Sequence, residues 1–487
     1  MKNKDILLDV IGDTDDKLVP DLTVKKKKSS IFKWTALGGI CAAAIIACVS
    51  ILPKTGDDTI IPSSDKGSDR VMLLAAPAYP EMPPYPDETA YPDWDDYKEV
   101  YHAWDEAQKA LRNQPEGYQD GFNTFFLNST QTFLHSSETD NVVYSPLSLY
   151  MALGMTAEIT DGNSRQQILD VLGQSDIETL RSHSKSIWQA NYKDDGMAKC
   201  ILANSLWTNS NADYKQDTVD TLADTYYSSV YSGDPSSDVY SKMLQDWLNA
   251  QTDGLLTDYV SDIKMDPKMI LTLASTVNYS GKWNNKFSPK ITQQAVFHSV
   301  NGDVICDYMN SERDMGYCWG EHFSSVSLQL ENNGHMKLIL PDEGYSPDDL
   351  LNDEQVKRHM LSIGNFPNNK YVTVKMSVPK FDVSSKIDLR EGLSSLGITD
   401  IFNADNSDFT PLTDSTDNIY ISQAEQDTRV IIDEEGCKAA SLTVMNYIGA
   451  VKPEGHAEFI LDRPFIFEIM SDTGLPLFVG IVNNPVQ

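Results

Sequence analysis

The chain is poor in cysteine and in basic side chains, and it lacks the short motifs by which most enzymes are recognised. Its six cysteines stand at 41, 48, 200, 306, 318 and 437. No two form a CxxC pair and none is spaced with histidine as zinc requires, so neither a disulfide framework nor a metal site is indicated, and isolated thiols are expected. Lys and Arg number 39 against 71 Asp and Glu, a formal charge of −32. That balance argues against nucleic acid as a partner, because phosphate binding needs a cationic face. It fits a solvated acidic surface, or attraction to cationic proteins. There is no G-x-S-x-G elbow, no H-E-x-x-H and no G-x-x-x-x-G-K-[ST] loop. An enzyme reading is left with a triad assembled only by folding. No internal repeat is present.

What the sequence does contain begins with one uncharged apolar run, residues 34–52 (WTALGGICAAAIIACVSIL), nineteen residues long. That is close to the ~20 needed to cross a bilayer as a helix. Lys25 to Lys28 and Lys33 precede it, whereas Asp and Glu are frequent after it, so the positive-inside rule places residues 1–33 in the cytoplasm and the rest outside. A cleaved signal peptide would have a shorter leading region. Ile45-Ile46-Ala47-Cys48 also resembles a lipobox, with Cys48 as the lipidated residue. All three readings export the main domain. Residues 53–115 are rich in Pro, Asp, Tyr and Ser, a composition expected to form an extended linker without a core, with a short helix possible over Tyr97 to Arg112.

At 487 residues the chain has room for about three average domains or for one mixed domain of roughly 350–400. Phe122, Phe125, Phe126, Phe133 and Leu134 mark a first helix, with packing as their purpose. Ser145-Pro146 signals the start of a second, with Ser as cap and Pro in the first turn, followed by Leu147, Tyr150, Met151, Gly154 and Met155. Val372 to Val378 alternates as a half-buried strand does, whereas Met336 to Leu340 and Leu475 to Val482 read as strands covered on both faces. Helices dominate the first half and strands the second, so the expected class is α+β.

Four separated segments resemble the serpin family, in its order and at its distances. They are Asn141-Val142-Val143-Tyr144-Ser145-Pro146-Leu147-Ser148 with Thr160 to Ser164; Leu273 to Trp283; Val378-Pro379-Lys380-Phe381 with Leu396-Gly397-Ile398; and a tail running from Ile432-Asp433-Glu434-Glu435-Gly436 through Arg463-Pro464-Phe465 to Leu477 to Pro485. The resemblance, to serpins of bacterial type with an added membrane anchor, covers residues 116–487. It implies a large central β-sheet with surrounding helices and an exposed reactive-centre loop offered to a serine protease. Cleavage leaves the protease esterified to the loop. The loop then inserts into the sheet as a new strand, the form of β-strand addition that serpins exemplify, and traps the enzyme before water releases it. No cofactor is implied, the partner is the protease in a covalent complex, and a monomer is expected.

By family register the loop residues facing the core would be Cys437, Ala439, Ser441, Thr443, Met445, Tyr447 and Gly449, none of them charged. Lys438 would face outward, as a strand's alternation allows. Glu434, Gly436, Cys437, Ala439, Ala440 and Ser441 form the implied hinge. Loop length places the scissile bond at Ala450-Val451, which suits a shallow pocket of elastase-like or subtilisin-like enzymes; a shift toward Lys452 would suit trypsin-like ones instead. Ser145, Ser148, Ser275 and Gln426 fall at the shutter beneath the sheet, the last two replacing the family's usual Asn and His, and Trp283 falls at the breach where insertion starts. The resulting expectation is an extracellular, membrane-anchored suicide inhibitor, with a non-inhibitory binding or cleavable serpin as the alternative.

Overall fold

The computed structural model describes residues 70–135, 140–266, 270–331, 333–362, 366–414, 419–437 and 452–487. The apolar run at 34–52 and the segment 438–451 lie outside the described residues. The helices are α1 (Trp94–Arg112), α2 (Phe122–Phe133), α3 (Pro146–Glu158), α4 (Gly162–Leu172), α5 (Ile177–Asn191), α6 (Gln216–Tyr226), α7 (Asp238–Gln251), α8 (Thr257–Val260), α9 (Pro347–Leu351), α10 (Glu354–Leu361) and α11 (Leu389–Leu396). None of them is long and apolar enough to cross a membrane.

Three sheets account for the described strands. The first joins β1 (Met72–Ala75), β3 (Lys193–Asp194), β4 (Lys199–Asn209), β5 (Ser228–Gly233), β6 (Leu271–Lys282) and the two-residue β14 (Gly436–Cys437), in the order β1-β5-β4-β6-β14 with β3 on β4. The second runs β15-β11-β8-β9-β10-β16-β17-β2, with β7 on β8. Its members are β2 (Val142–Tyr144), β7 (Gln293–Ser299), β8 (Gly302–Trp319), β9 (Phe323–Gln329), β10 (His335–Pro341), β11 (Asn369–Pro379), β15 (His456–Ile460), β16 (Phe465–Met470) and β17 (Pro476–Val482). The third is the pair β12 (Phe381–Asp388) and β13 (Glu425–Ile432).

The apolar patterns predict these elements well. β17 is buried at every position and β10 nearly so, as strands covered on both faces must be, while β11 alternates buried with accessible residues. Phe122, Phe125, Phe126 and Phe133 of α2 are all buried. Ser145 caps α3, its hydroxyl accepting from Ser148 N. Almost the whole circumference of α3 is buried, because it packs against both β6 and β17 and is overlaid by α4, α5 and α6. Such a helix needs no polar face. Burial also pushes the Cys200 and Cys306 thiols up, so these free cysteines are inert core residues.

Composition predicts no core for residues 53–115, and from residue 70 onward the structure corrects this. Val71 is buried against Trp207, Tyr240, Leu244 and Met265, and β1 extends the first sheet by pairing with β5. Tyr79 stacks on Trp188 at 5.2 Å, and α1 runs to nineteen residues, burying Trp104 and Gln108. Large aromatics compensate for the prolines: a few tyrosines and tryptophans bury enough surface to fix an otherwise extended chain.

One charged pair sits where the sequence shows only apolar strands. Lys337 of β10 and Glu468 of β16 are cross-strand partners, both essentially without solvent contact, with Nζ to Oε2 at 3.1 Å. Lys337 also donates to the His359 and Met360 carbonyls, at 2.9 and 2.5 Å, at the end of α10. Burial, with the Lys337 charge adding to it, depresses His359 to about 3, so it stays neutral and shares a 2.8 Å bond with Ser325. Replacing Lys337 by Met alone strands a buried carboxylate and is expected to lower stability by about 3–5 kcal/mol. The double change Lys337→Met with Glu468→Leu should recover most of it. Urea unfolding of the two variants beside the unmodified protein checks this, and equal losses in the single and the double variant would refute it.

Candidate strand-insertion site

The site starts where β13 ends. Its residues alternate between core and surface up to Ile432, after which the chain turns sharply at Asp433. The Asp433 carboxylate accepts from the amides of Glu435 and Gly436, at 2.9 and 3.2 Å, as short acidic side chains do in turns. Gly436 has φ of +139°, and a Cβ there would lie 2.6 Å from both Gly281 O and Lys282 Cα. Only glycine fits. Beyond it β14 pairs antiparallel with the end of β6, Gly436 opposite Lys282 and Cys437 opposite Gly281.

Trp283 closes the corner between β6 and this turn. It is 1% exposed, its indole donates to Asp433 O at 2.9 Å, and its backbone amide donates to Glu435 O at 3.1 Å. Glu434 lies beside it, within 2.9 Å of Lys380 Nζ and accepting from Thr292 Oγ1 at 2.8 Å. Burial opposes charging Glu434, but bonds from Lys380, the backbone and Thr292 outweigh that cost and hold its pKa below the ordinary carboxylate range. Lys286 pairs with Glu435 at 2.6 Å on the outer side.

At the other end of the gap the start of α3 does the holding. Gln426 of β13 accepts from Ser145 N through Oε1 at 2.8 Å and donates to Ser145 O through Nε2 at 3.0 Å, so one amide satisfies both backbone groups of one residue. The Ser145 hydroxyl donates to Leu477 O of β17 at 2.8 Å. Ser148 donates to Ser275 O of β6 at 3.1 Å, and Ser275 Oγ returns a bond to Ser148 O at 3.3 Å. β6 and β13 are therefore each tied to α3. Among the described residues no ladder pair joins them to each other, and only β14 stands between them at one end.

A sheet parted between two long strands, with a chain segment starting into the parting, is the arrangement of a protein that can accept a further strand. A family model described as "Serpin (serine protease inhibitor)" matches residues 120–485. The chain belongs to the serpin family. Among curated serpins, Serpin-ZX of Arabidopsis thaliana is 27% identical over 72% of this chain and 94% of its own length. Alpha-1-antiproteinase of Rattus norvegicus is 28% identical over 73% and 86% respectively. Among solved structures, the native state of the thermophilic serpin Tengpin superposes with a TM-score of 0.67 at 28% identity, over 76% of this chain and 95% of that one.

Within this serpin, sequence reasoning brings Ser145, Ser148, Ser275 and Gln426 into one bonded cluster and places Trp283, Glu434 and Gly436 together at the opposite end. Cys437 continues the short strand. Ala439, Ala440 and Ser441, and the bond Ala450-Val451, fall outside the described residues. Lys380, Thr292 and the carbonyl of Asp433 were missed. Lys380 and Asp433 had a signal, since they stand inside the Val378-Pro379-Lys380-Phe381 and Ile432-Asp433-Glu434-Glu435-Gly436 segments that carry the resemblance, whereas Thr292 had none.

Two measurements probe this site. Gln426→Ala leaves two buried backbone groups of Ser145 without their partner, with an expected loss of about 1–3 kcal/mol for each. Denaturant unfolding reads the loss, and an unchanged midpoint would show that another group replaces Gln426. The Glu434–Lys380 pair has a depressed carboxylate, so its contribution is present above the unfolded carboxylate pKa and disappears as pH falls through the lower folded value. Lys380→Ala should therefore destabilise by about 1 kcal/mol at neutral pH, given partial exposure, and by nothing measurable in strong acid.

Proposed function

We propose that this serpin is an inhibitor that traps serine proteases by inserting its cleaved loop between β6 and β13. The observation that supports this most is the parted sheet itself: among the described residues no ladder pair joins β6 to β13, and Gly436 and Cys437 of β14 are seated against the end of β6. The residues after Cys437 suit the gap. Those of inward register carry no charge, and the hinge from Cys437 to Ser441 is built mainly of small side chains, with Lys438 facing outward. A charged inward residue would have to be buried without a partner and would stall insertion.

The bait bond is read as Ala450-Val451, for an elastase-like or subtilisin-like target. The protein acts as a monomer, held at the cell surface by a single span over 34–52 with the serpin domain outside, where it shields its own surface from exogenous proteases. Lipidation at Cys48 or secretion would leave that chemistry unchanged.

Mixing the chain with an elastase-like protease should give an SDS-resistant covalent band, and the released carboxy-terminal fragment should begin at Val451 by mass spectrometry. Cys437→Arg should abolish the band while cleavage continues. Clean cleavage of the unmodified chain with no covalent band would sink the inhibitory reading and favour a cleavable, non-inhibitory serpin. A fragment beginning after Lys452 would move the target class to trypsin-like enzymes.

A further inference from the structure

Residues 70–112 lie outside the segment that matches the family, yet they are built into the body along two different faces. We infer that they form a clamp joining the half of the molecule that must shift for β6 to part from β13 to the half that stays still, so that their grip sets how readily the sheet accepts a strand. This rests on the strand-insertion reading.

The clamp has three points of attachment. At the first, β1 lengthens the sheet on the far side of β5, with Met72 opposite Ser232 and Ala75 opposite Val230, and Val71 packs on Trp207 of β4 and on Tyr240 and Leu244 of α7. All of these belong to the part carrying β6. At the second, Tyr79 enters an aromatic group made by Trp188, Tyr192 and Tyr227, with ring centroids 5.2, 5.6 and 6.1 Å away. Tyr85 N then donates to Asp195 O at 2.7 Å, and its ring meets Trp104 edge-on at 5.0 Å. At the third, the end of α1 reaches across to the turn between β16 and β17, where Arg112 pairs with Asp472 at 3.1 Å. β17 belongs to the other sheet and anchors the Ser145 hydroxyl through Leu477. One continuous stretch of chain thus holds both sides of the parting.

The grip is uneven. Tyr79 is enclosed by rings, the kind of contact that resists shear. Under α1, Trp104 Nε1 and Gln108 Nε2 are buried without a hydrogen-bond partner among the described residues, which weakens that arm. Bonds made in the closed arrangement and broken in the open one add to the barrier, and each tenfold in rate corresponds to about 1.4 kcal/mol. Loosening the clamp should therefore accelerate opening without altering the hinge or the shutter.

A peptide with the sequence of residues 437–449 reads opening directly, because it can occupy the gap in place of the loop. With the full chain, Tyr79→Ala should take up the fluorescently labelled peptide at least tenfold faster than the unmodified protein, and Arg112→Ala severalfold faster. Tyr371→Ala, an exposed residue of β11, should leave the rate unchanged. Arg112→Ala breaks a single partly exposed ion pair and keeps the test decisive should Tyr79→Ala fail to fold. Uptake by both variants within twofold of the unmodified rate overturns the clamp alone. No uptake by any form, the unmodified chain included, overturns the clamp together with the insertion reading.

Discussion

Backbone amides and carbonyls that leave water must find partners, and in this fold two strands of the same molecule stand side by side without supplying them to each other. β6 is twelve residues long and β13 eight, and among the described residues β6 ladders with β4 and with the two residues of β14, and β13 with β12, but not with each other. Much of the surrounding structure follows from keeping that gap from closing or widening. Glycine stands at 436 because the chain must pass within contact of the β6 backbone. The amino end of α3 offers one set of bonds to β13, another to β6 and a third to β17, and so serves as a common post for three elements that do not hold one another.

The two ends of the gap are secured by different chemistry. At the end near Gly436 the bonds run from an indole and from two lysine–glutamate pairs, one of them partly open to water. At the other they are neutral hydrogen bonds between serines, a glutamine and backbone groups, buried at Ser145, Ser148 and Gln426 and half-buried at Ser275. Acid weakens the Glu434–Lys380 pair of the first set and not the second set. The usual imidazole is replaced by Gln426, and with it goes a source of pH dependence in the inner set.

Much of this was legible in the sequence because it is carried by periodicity or by short local signals. The cap at Ser145, the aromatic face of α2 and the apolar runs of β10 and β17 were all readable in that way. The polar cluster around Ser145 was legible only through the family resemblance, since nothing local connects residues 145, 275 and 426. What escaped is non-local. Lys337 and Glu468 are 131 positions apart, and only the register of β10 against β16 makes them partners. Residues 70–112 were misjudged because proline and acid content predicts solvation along a chain, whereas Val71, Tyr79 and Trp104 each find a separate apolar hollow that the rest of the fold provides. Average composition cannot express three isolated anchors.

The direction of β1 fixes the level at which Met72 stands against the first sheet. Met72 is level with Ser232, hence with Thr208 and with Leu271 at the start of β6, while Gly436 lies opposite Lys282 at its end. Eleven residues of strand separate the two levels, about 36 Å. Met72, the first residue of β1, and Gly436 thus stand at opposite ends of the first sheet. β14 enters at the Gly436 end and runs antiparallel to β6, toward the level at which Met72 stands.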